Sequence, residues 1–354
     1  MQRALRLAAK GLYTTHPNPR VGCVIVRDGA IVGEGYHQRA GEPHAEVHAL
    51  RAAGDQARGA TVYVTLEPCS HFGRTPPCAN ALVEAGVARV VAAMVDPNPL
   101  VSGRGLEILR DAGIDTESGL LEAQARALNP GFIKRMETGL PWVRVKSAMS
   151  LDGRTAMAGG ESKWITGEAA RADVQRLRAR SEAIVTGIGT VLADDPSMNV
   201  RLDGEVVQPL RVVLDPKLDM PANAKMLSLP GSTLVLTSVG EGSDIEDLID
   251  SGAEIRWLGG DGDQVNLTEV LKTLAGLGVN EVLVEAGATV AGAFLAAGLV
   301  DELVVYLAPH LMGDGARGLF HLPGIERMDQ RIDLDITDIR AVGSDWRITA
   351  RVRS

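Results

Sequence analysis

The sequence has little of several features that mark particular classes of protein. Aromatic residues make up only 3% of its 354 residues, so the core must consist mainly of Val, Leu, Ile and Ala. No apolar stretch reaches the roughly 18–20 residues that cross a bilayer, and the charged N-terminal segment is typical of an amphipathic helix, not of a signal peptide. The three cysteines cannot all pair with one another. We therefore expect no membrane partner and a cytoplasmic, reducing setting.

Basic charge is also scarce. The chain carries 36 Lys and Arg against 45 Asp and Glu, which gives a net charge of −9. The first 144 residues are nearly balanced, with 16 basic and 14 acidic side chains, whereas the remaining residues carry 20 and 31. Neither part is basic enough for a protein recruited by phosphate charge, so we expect no nucleic-acid partner. The uneven charge indicates a domain boundary near residue 140.

Short valine-rich strands alternate with helical stretches, which predicts an α/β protein of two domains. The first domain is predicted to contain helices over 2–14, 44–54, 78–86, 104–113 and 120–137 and strands over 21–27, 30–36, 60–66 and 88–95. The tripeptide at 139–141, Gly-Leu-Pro, is typical of a linker. After it the pattern restarts with about eight strands, the last two over 333–353. We therefore assign the domains to residues 1–141 and 142–354.

Three residues of types that bind zinc stand where predicted elements begin or end. His44 opens a helix, Cys69 follows the strand TVYVTL, and Cys78 opens another helix. One His and two Cys supply three ligands of a tetrahedral Zn²⁺ and leave the fourth position open for water, as a catalytic site requires. Glu46, two residues after His44, is placed to take a proton from that water and pass it to a leaving amine. The pattern predicts a zinc-dependent deaminase.

The spacing of the cysteines departs from the usual signature of zinc deaminases. That signature is H-x-E followed by P-C-x-x-C, whereas eight residues separate Cys69 from Cys78. The structural alternative is a buried His, two core cysteines and a surface Glu. Cys23, inside the strand VGCVIV, is interpreted as a small core residue and not as a ligand.

Four polar residues lie near this constellation in the sequence. Asn18, between two prolines, can present its amide to a ligand or serve only the turn. His37 ends a strand. His71 and Arg74 lie in the loop between the cysteines, where His71 can be a fourth ligand, a substrate contact or a solvated residue. An arginine there suits a phosphate.

The second domain gives weaker signals of a nucleotide site. Gly187 and Gly189 follow the strand EAIVTG, but Leu192 replaces the third glycine of G-x-G-x-x-G, which argues against the standard dinucleotide fingerprint. The segment 287–292, GATVAG, follows the strand EVLVEAG and opens a helix. Its backbone N–H groups can receive phosphates, or its glycines can serve packing alone, and the local sequence leaves both open.

Seven strings, taken in chain order, resemble the bifunctional deaminase-reductases of riboflavin biosynthesis. They are HPNPRVGCVIV, GEGYHQRAGEPHAEVHAL, YVTLEPCSHFGRTPPC and DPNPLVSGRG in the first domain, and SLDGRTA, GESKWIT and TVLADDP in the second. The resemblance covers nearly the whole chain, and the inserted loop SHFGRTPP distinguishes this family from cytidine and tRNA-adenosine deaminases. It implies a cytidine-deaminase-like α/β/α sandwich followed by a dihydrofolate-reductase-like α/β domain.

The resemblance implies two reactions on one small-molecule pyrimidine ribose phosphate. The first domain, with one Zn²⁺, would hydrolyse the 2-amino group of 2,5-diamino-6-ribosylamino-4(3H)-pyrimidinone 5′-phosphate. The second would use NADPH to reduce the ribosyl group, giving 5-amino-6-ribitylamino-uracil 5′-phosphate. By position, the deaminase substrate contacts would be Asn18, His37, His71 and Arg74. Phe72 stands where a second His is expected, and Arg74 stands where Lys is common.

The same resemblance places the reductase site on residues of the second domain. The NADPH contacts would be Ala148, Trp164, Thr190, Asp194, Gly287, Ala288, Thr289, Val290, Ala291, Gly292 and Ala293. The substrate would be held by Ser162, Arg178, Met198, Arg201 and Glu285. Lys146 would polarise or protonate the ring-opened sugar, because hydride addition needs an activated carbon. Arg178 and Arg201 suit the phosphate, although either is also typical of a solvated surface.

Two other function classes compete with this interpretation. The first is a zinc deaminase of another nucleoside or of a nucleic-acid base, with an appended nucleotide-binding domain. A nucleic-acid deaminase would need a basic groove and stacking aromatics, and the sequence offers neither. A zinc-stabilised binding module would need a fourth protein ligand and no Glu46. The apolar strings ATVAGAFLAAGLV and LVVYLAP pack either internally or across an interface, and we expect a homo-oligomer.

Overall fold

The structure, a computed structural model, describes residues 1–70, 77–239, 245–259 and 263–353. The chain divides into two compact units, Met1–Leu140 and Pro141–Ser354. Both units are α/β, as predicted. Within the described ranges, no helix is long and apolar enough to cross a membrane.

The first unit is built on a mixed sheet that has five strands in the described residues, in the order β2-β1-β3-β4-β5. The strands are β1 Gly22–Arg27, β2 Ala30–Tyr36, β3 Thr61–Val64, β4 Arg89–Ala92 and β5 Asp115–Ser118. The helices are α1 Gln2–Ala8, α2 Ala45–Ala53, α3 Cys78–Glu84, α4 Arg104–Asp111, α5 Glu122–Leu128 and α6 Pro130–Thr138. Strand β1 is antiparallel to β2 and β3, whereas β3, β4 and β5 run parallel.

The core of this unit consists of small and branched apolar side chains, as the shortage of aromatics predicts. Ile25, Val62, Leu82 and Leu109 are fully buried in one cluster. Cys23 lies in the same cluster with no exposed surface, which confirms that it is a core residue.

Two glycines allow helix α2 to lie directly on strand β2. A Cβ atom at Gly33 would lie 2.3 Å from the carbonyl oxygen of Ala49, and one at Gly35 would lie 2.4 Å from that of Ala45. Only a residue without a Cβ fits so close to another backbone. This packing fixes the height of the first turn of α2, which carries Glu46, above the sheet.

The second unit is a larger sheet with nine strands in the described part of the chain, ordered β11-β10-β9-β8-β12-β6-β13-β16-β15. The strands are β6 Trp142–Ser150, β8 Ala183–Gly187, β9 Leu210–Leu214, β10 Thr233–Thr237, β11 Ala253–Trp257, β12 Glu281–Val284, β13 Glu302–Ala308, β15 Leu334–Val342 and β16 Asp345–Val352, with β7 Arg154–Ala156 and β14 Arg317–Gly318 pairing separately. The helices are α7 Glu168–Ala179, α8 Ile188–Asp194, α9 Ile245–Asp250, α10 Leu267–Gly276 and α11 Ala288–Ala296.

The central strands β8, β12, β6 and β13 are parallel, so their carboxyl ends meet at one edge of the sheet. Helix α8 starts directly after strand β8, and three residues separate helix α11 from the neighbouring strand β12. A Cβ at Gly187 would lie 2.8 Å from Cγ2 of Val290, so the two helix starts are in close contact. Open α/β sheets bind ligands at such an edge.

A buried polar cluster joins helix α7 to strands β13 and β16. The hydroxyl of Tyr306 donates to Asp173 over 2.7 Å, and Arg347 pairs with the same carboxylate at 3.0 Å. All three side chains lie under the surface. The cluster fixes α7, which also carries Arg178, against the sheet.

The sequence did not predict strand β5, and it predicted about eight strands in the second unit, where the described residues form eleven. The largest differences in element boundaries are at two helices. The helix predicted over 120–137 is two helices, α5 and α6, because Pro130 has no N–H to continue the first one. The helix predicted over 2–14 ends at Ala8 and continues as a short 3₁₀ turn over 9–11. The predicted final strand pair is confirmed as β15 and β16.

Candidate active sites

Three metal-binding side chains converge in the first unit. His44 stands at the N-terminus of α2, Cys69 lies beyond β3, and Cys78 is the first residue of α3. The Nδ1 atom of His44 lies 3.3 Å from Sγ of Cys78 and 3.6 Å from Sγ of Cys69. All three donor atoms lie within 4.8 Å of one another, and among the described residues this is the one such group.

These distances fit a tetrahedral zinc ion. With bonds of about 2.0 Å to nitrogen and 2.3 Å to sulfur, the N···S edge of a tetrahedron is about 3.5 Å. The backbone N–H of Cys78 donates to Sγ of Cys69 over 3.3 Å. Hydrogen bonds from Cys78 and His44 hold the pKa of Cys69 well below that of a free thiol, which favours the thiolate that zinc requires.

Glu46 lies beside the three donors and is 3% exposed. Burial raises the pKa of its carboxyl to about 7, and the charge of Cys69 contributes a smaller effect in the same direction. A group with a pKa near the working pH can both accept and release a proton. Glu46 lines a cavity of about 490 Å³ together with His44 and Cys69.

Asn18 and His37 meet in the same cavity. Nδ1 of His37 donates to the carbonyl of Pro43 over 3.2 Å, so its Nε2 is the acceptor and receives the Asn18 amide at 3.1 Å. Burial lowers the pKa of His37 and keeps the ring neutral. His37 also packs edge-on against the ring of His44, with centroids 5.2 Å apart. The structure therefore brings Asn18 and His37 to the metal group.

The turn that carries Asn18 is held by a side chain from the C-terminal part of the first unit. The side chain of Asn129 accepts from the backbone N–H of Arg20 at 2.8 Å and donates to its carbonyl at 3.0 Å. Asn129 is 5% exposed and stands at the junction of α5 and α6. This contact, between residues far apart in sequence, had no signal in the local pattern.

Glu67 is a cavity residue that the sequence interpretation missed. Its buried carboxylate accepts four backbone N–H groups, from Asp96, Gly103, Gly105 and Leu106, at 2.9–3.2 Å. It therefore holds the segment 96–106, a loop and the first turn of α4, beside the metal group. The one signal in the sequence is a Glu placed directly before Pro-Cys.

The other two predicted deaminase contacts, His71 and Arg74, lie outside the described residues, as does Phe72. Their roles stay predictions.

Four predicted reductase residues gather at the carboxyl edge of the second sheet. Arg178 pairs with Glu285 through two hydrogen bonds, Nε to Oε1 at 2.7 Å and Nη2 to Oε2 at 2.9 Å. Arg178 also donates to the backbone carbonyl of Asn199, whose side chain accepts from Arg201 at 2.9 Å. Arg201 is the more exposed of the two arginines and keeps more donors for a ligand.

Lys146, on β6, completes this cluster. Burial lowers the pKa of its ammonium group, and the charge of Arg178 acts in the same direction, whereas Glu285 opposes both. Its Nζ lies 6.0 Å from the ring centre of Tyr306. Although burial opposes it, the charge of Arg178 keeps the pKa of Glu285 low, so the carboxylate is ionised.

The predicted phosphate-binding segment divides into an open and a packed part. A Cβ at Gly287, which precedes α11, or at Gly189, in α8, would meet nothing within 4 Å. The two adjacent helix starts thus leave an open cradle, where backbone N–H groups can receive phosphates. Ala288, Thr289, Val290 and Ala293 are partly or fully exposed, whereas Ala291 is buried.

Gly292 has the packing role that the local sequence left open as one of two alternatives. A Cβ there would lie 2.1 Å from the carbonyl oxygen of His321, so the segment around His321 lies directly on the helix. The Cα of this glycine therefore faces protein, and its contact with NADPH stays a prediction.

A loop near α8 brings together three further predicted residues. Lys163 pairs with Asp194 at 2.9 Å, which places Trp164 and the partly buried Ser162 close to the end of α8. Trp164 is 70% exposed and stacks on the guanidinium of Arg171, 4.7 Å from the ring centre. Thr190 is partly exposed on the same helix.

Two predicted contacts have side chains that turn toward the core. Met198 is 2% exposed and packs in the apolar core of the second unit, with a positive φ of 46°. Its side chain therefore belongs to the core, which the local sequence did not indicate. Ala148, in β6, packs against the same core and is partly buried.

Comparison with known proteins supports this division. The family model described as the cytidine and deoxycytidylate deaminase zinc-binding region matches residues 1–94, and the RibD C-terminal domain model matches residues 141–348. A Riboflavin biosynthesis protein RibD from Escherichia coli (strain K12) is 52% identical and covers 98% of this chain and 96% of its own length.

Two solved structures are similar over the whole chain. The Acinetobacter baumannii RibD (form 1) is 50% identical with a TM-score of 0.94, covering 100% of this chain and 98% of its own. A Thermotoga maritima diaminohydroxyphosphoribosylaminopyrimidine deaminase/5-amino-6-(5-phosphoribosylamino)uracil reductase is 33% identical with a TM-score of 0.89, covering 100% and 97%.

The fold and the two sites define a class, that of a zinc deaminase joined to a nicotinamide-dependent reductase. Within that class the chain belongs to the RibD family of riboflavin biosynthesis. It is a bifunctional enzyme whose cofactors are Zn²⁺ and NADPH, and it acts on a small-molecule pyrimidine. A deaminase of nucleic-acid bases with an unrelated second domain is not supported.

Proposed function

We propose that the chain carries out two successive steps on 2,5-diamino-6-ribosylamino-4(3H)-pyrimidinone 5′-phosphate. The first unit removes the 2-amino group as ammonia, and the second reduces the ribosyl group with NADPH to give 5-amino-6-ribitylamino-uracil 5′-phosphate. The observation that carries the proposal is the presence, in one chain, of a His-Cys-Cys group beside a buried carboxylate and of an Arg-Glu-Lys cluster beside an open helix cradle. The Thermotoga relative bears both activities in its name.

In the deaminase step Glu46 moves the proton. Bound Zn²⁺, held by His44, Cys69 and Cys78, supplies Lewis acidity that makes water reactive near neutral pH. Glu46 accepts a proton from the attacking water, and a C–O bond forms as the bond to the 2-amino nitrogen breaks. Glu46 then gives the proton to the departing nitrogen, so that water is consumed and ammonia is released.

Polar side chains around the cavity orient the pyrimidine. The neutral ring of His37 and the amide of Asn18 are linked to each other, so they present fixed donors and acceptors to the base or ribose. His71 and Arg74 are proposed to contact the substrate from the loop between the cysteines, the arginine at the phosphate.

In the reductase step the cluster on the second sheet holds the sugar chain. The α8 and α11 cradle would hold NADPH, which would supply the hydride for C1′. Lys146 donates a proton to the ring-opened sugar, a role that its lowered pKa favours. Arg201 takes the phosphate, whereas Arg178 is largely engaged with Glu285 and holds that carboxylate toward the substrate.

The remaining cofactor contacts are proposed on exposed and partly exposed positions around the cradle. They are Ala148, Trp164, Thr190, Asp194, Gly287, Ala288, Thr289, Val290 and Ala293, with Ser162 on the substrate. We place the functional boundary between residues 141 and 142, one residue after the division of the structure into compact units.

We also propose that the protein is a cytoplasmic homo-oligomer without nucleic-acid or membrane partners. Its three cysteines are free, as two zinc ligands and a core residue require. Strand β15 is an edge strand on which Leu334, Ile336 and Ile339 are 41–59% exposed. An antiparallel edge can pair with its own copy across a two-fold axis. Light scattering of Ile336→Lys against the unsubstituted protein tests this, since a smaller assembly is expected.

One incubation tests the proposed reactions. The zinc-loaded protein is given the diaminopyrimidinone phosphate with and without NADPH, and ammonia and products are measured. We expect ammonia in both mixtures and the ribityl product only with NADPH. Product formation without ammonia, or no reaction in either mixture, would contradict the proposal.

A further inference from the structure

Part of the deaminase cavity comes from a segment that neither family model covers. The zinc-binding-region model ends at residue 94, and the RibD C-terminal model begins at residue 141. Between them lie four residues that line the cavity: Asp96, Asn98, Val101 and Phe132. The segment 95–140 therefore builds the part of the cavity that lies outside the zinc-binding region.

Phe132 stands out in this segment. It is the one phenylalanine, tyrosine or tryptophan among the described cavity residues, in a chain that has only four phenylalanines. One side of it packs with a cluster that includes Leu66, Met94 and Ile133, yet it stays partly exposed at the cavity. One side of the Phe132 ring is therefore held by apolar packing, and the other is open to the cavity.

The position of Phe132 is fixed relative to Asn18. Phe132 lies in the first turn of α6, which follows directly on Asn129. The side chain of Asn129 holds both backbone polar groups of Arg20, two residues from Asn18. The ring and the amide therefore belong to one rigid part of the cavity.

A diaminopyrimidine has polar edges and two apolar faces. Asn18, His37 and Glu46 offer hydrogen bonds suited to its edges, whereas a phenyl ring offers contact to a face. We propose that Phe132 is a specificity-determining residue of the deaminase, whose ring stacks on the pyrimidine and turns its 2-amino group toward Glu46. This inference rests on the proposed function.

Kinetics of ammonia release from the diaminopyrimidinone phosphate test the role of the ring. Base–aromatic stacking commonly changes affinity by about tenfold or more on substitution by alanine. We expect Phe132→Ala and Phe132→Leu to raise KM about tenfold, and Phe132→Tyr to stay within threefold of the unsubstituted enzyme. Phe132→Leu keeps the apolar packing, so its melting temperature should change little. Zinc content and NADPH-dependent reduction of the already deaminated substrate should not change.

Ile133→Ala is the matched control. Ile133 is the next residue on α6 and packs in the same cluster, but it does not line the cavity. It should lower the melting temperature and leave KM unchanged. An unchanged KM in Phe132→Leu, or an equal rise in Ile133→Ala, overturns the inference. If the unsubstituted enzyme releases no ammonia, the proposed function falls and this inference falls with it.

Discussion

Glu46 is buried and yet has to carry charge, and these two properties rarely occur in one side chain. Replacing it by Gln keeps the size and the hydrogen bonds but removes the site that accepts a proton. We expect Glu46→Gln to retain zinc and to lose ammonia release by about 10²–10⁴-fold, the usual share of general acid–base catalysis. Metal analysis and an ammonia assay check this. Glu84→Gln, an exposed neutralisation in α3, is the control, and near-normal activity in zinc-loaded Glu46→Gln would contradict the role.

Arg201 keeps N–H donors available for a ligand, whereas the guanidinium of Arg178 is bound to Glu285. Arg201→Ala should therefore lower kcat/KM for the sugar phosphate by roughly 10²-fold, since hydrogen bonds to a charged group contribute about 1.5–3 kcal/mol. The dissociation constant for NADPH should change far less. Steady-state reductase kinetics and an NADPH titration measure the two effects, with the exposed Lys272→Ala as control. Weakened NADPH binding with normal substrate kinetics would place Arg201 at the cofactor instead.

Helix α7 offers a test at the scale of the element. Burial opposes ionisation of Asp173, but Tyr306 and Arg347 outweigh it and hold the pKa of its carboxyl below the usual value. A carboxyl with a depressed folded pKa stabilises the fold above its unfolded pKa of about 3.9, and this stability is lost as pH falls through the folded pKa. Asp173→Asn should therefore lower the free energy of unfolding by about 3 kcal/mol at pH 7.

Below about pH 4 the difference between the two proteins should shrink. Denaturant unfolding at pH 7 and at pH 3 measures this convergence. A difference that is the same at both pH values would show that the carboxylate charge does not hold α7.

Local patterns predicted much of the fold and the metal group, and the reason is visible in the residues. His44 and Cys78 stand at the starts of α2 and α3, and Cys69 lies in the segment after β3, so the residue types at these positions were visible in the sequence. The packing partner of Gly292 and the cavity position of Phe132 had no local signal, because the residues that surround them, such as His321, are remote in sequence. The break between α5 and α6 was missed because the apolar period continues through Pro130.

At the scale of the whole molecule, the division into two compact units predicts that the reductase folds alone. A fragment of residues 142–354 should be well folded and should bind NADPH, since the α8 and α11 cradle and the Arg178 cluster lie entirely within it. Circular dichroism and an NADPH fluorescence titration check this against the full chain. A folded fragment that fails to bind would mean that the cofactor site needs residues before 142.

The two glycines on strand β2, Gly33 and Gly35, limit which substitutions this enzyme can accept. One added methyl group at Gly35 would push α2 away from the sheet, and zinc sites tolerate shifts of only about 0.2 Å in their ligand distances. His44 and Glu46 would move with the helix, while the second sheet would be untouched. A single substitution of the smallest kind can thus convert a two-step enzyme into a one-step reductase that depends on another protein for deaminated pyrimidine.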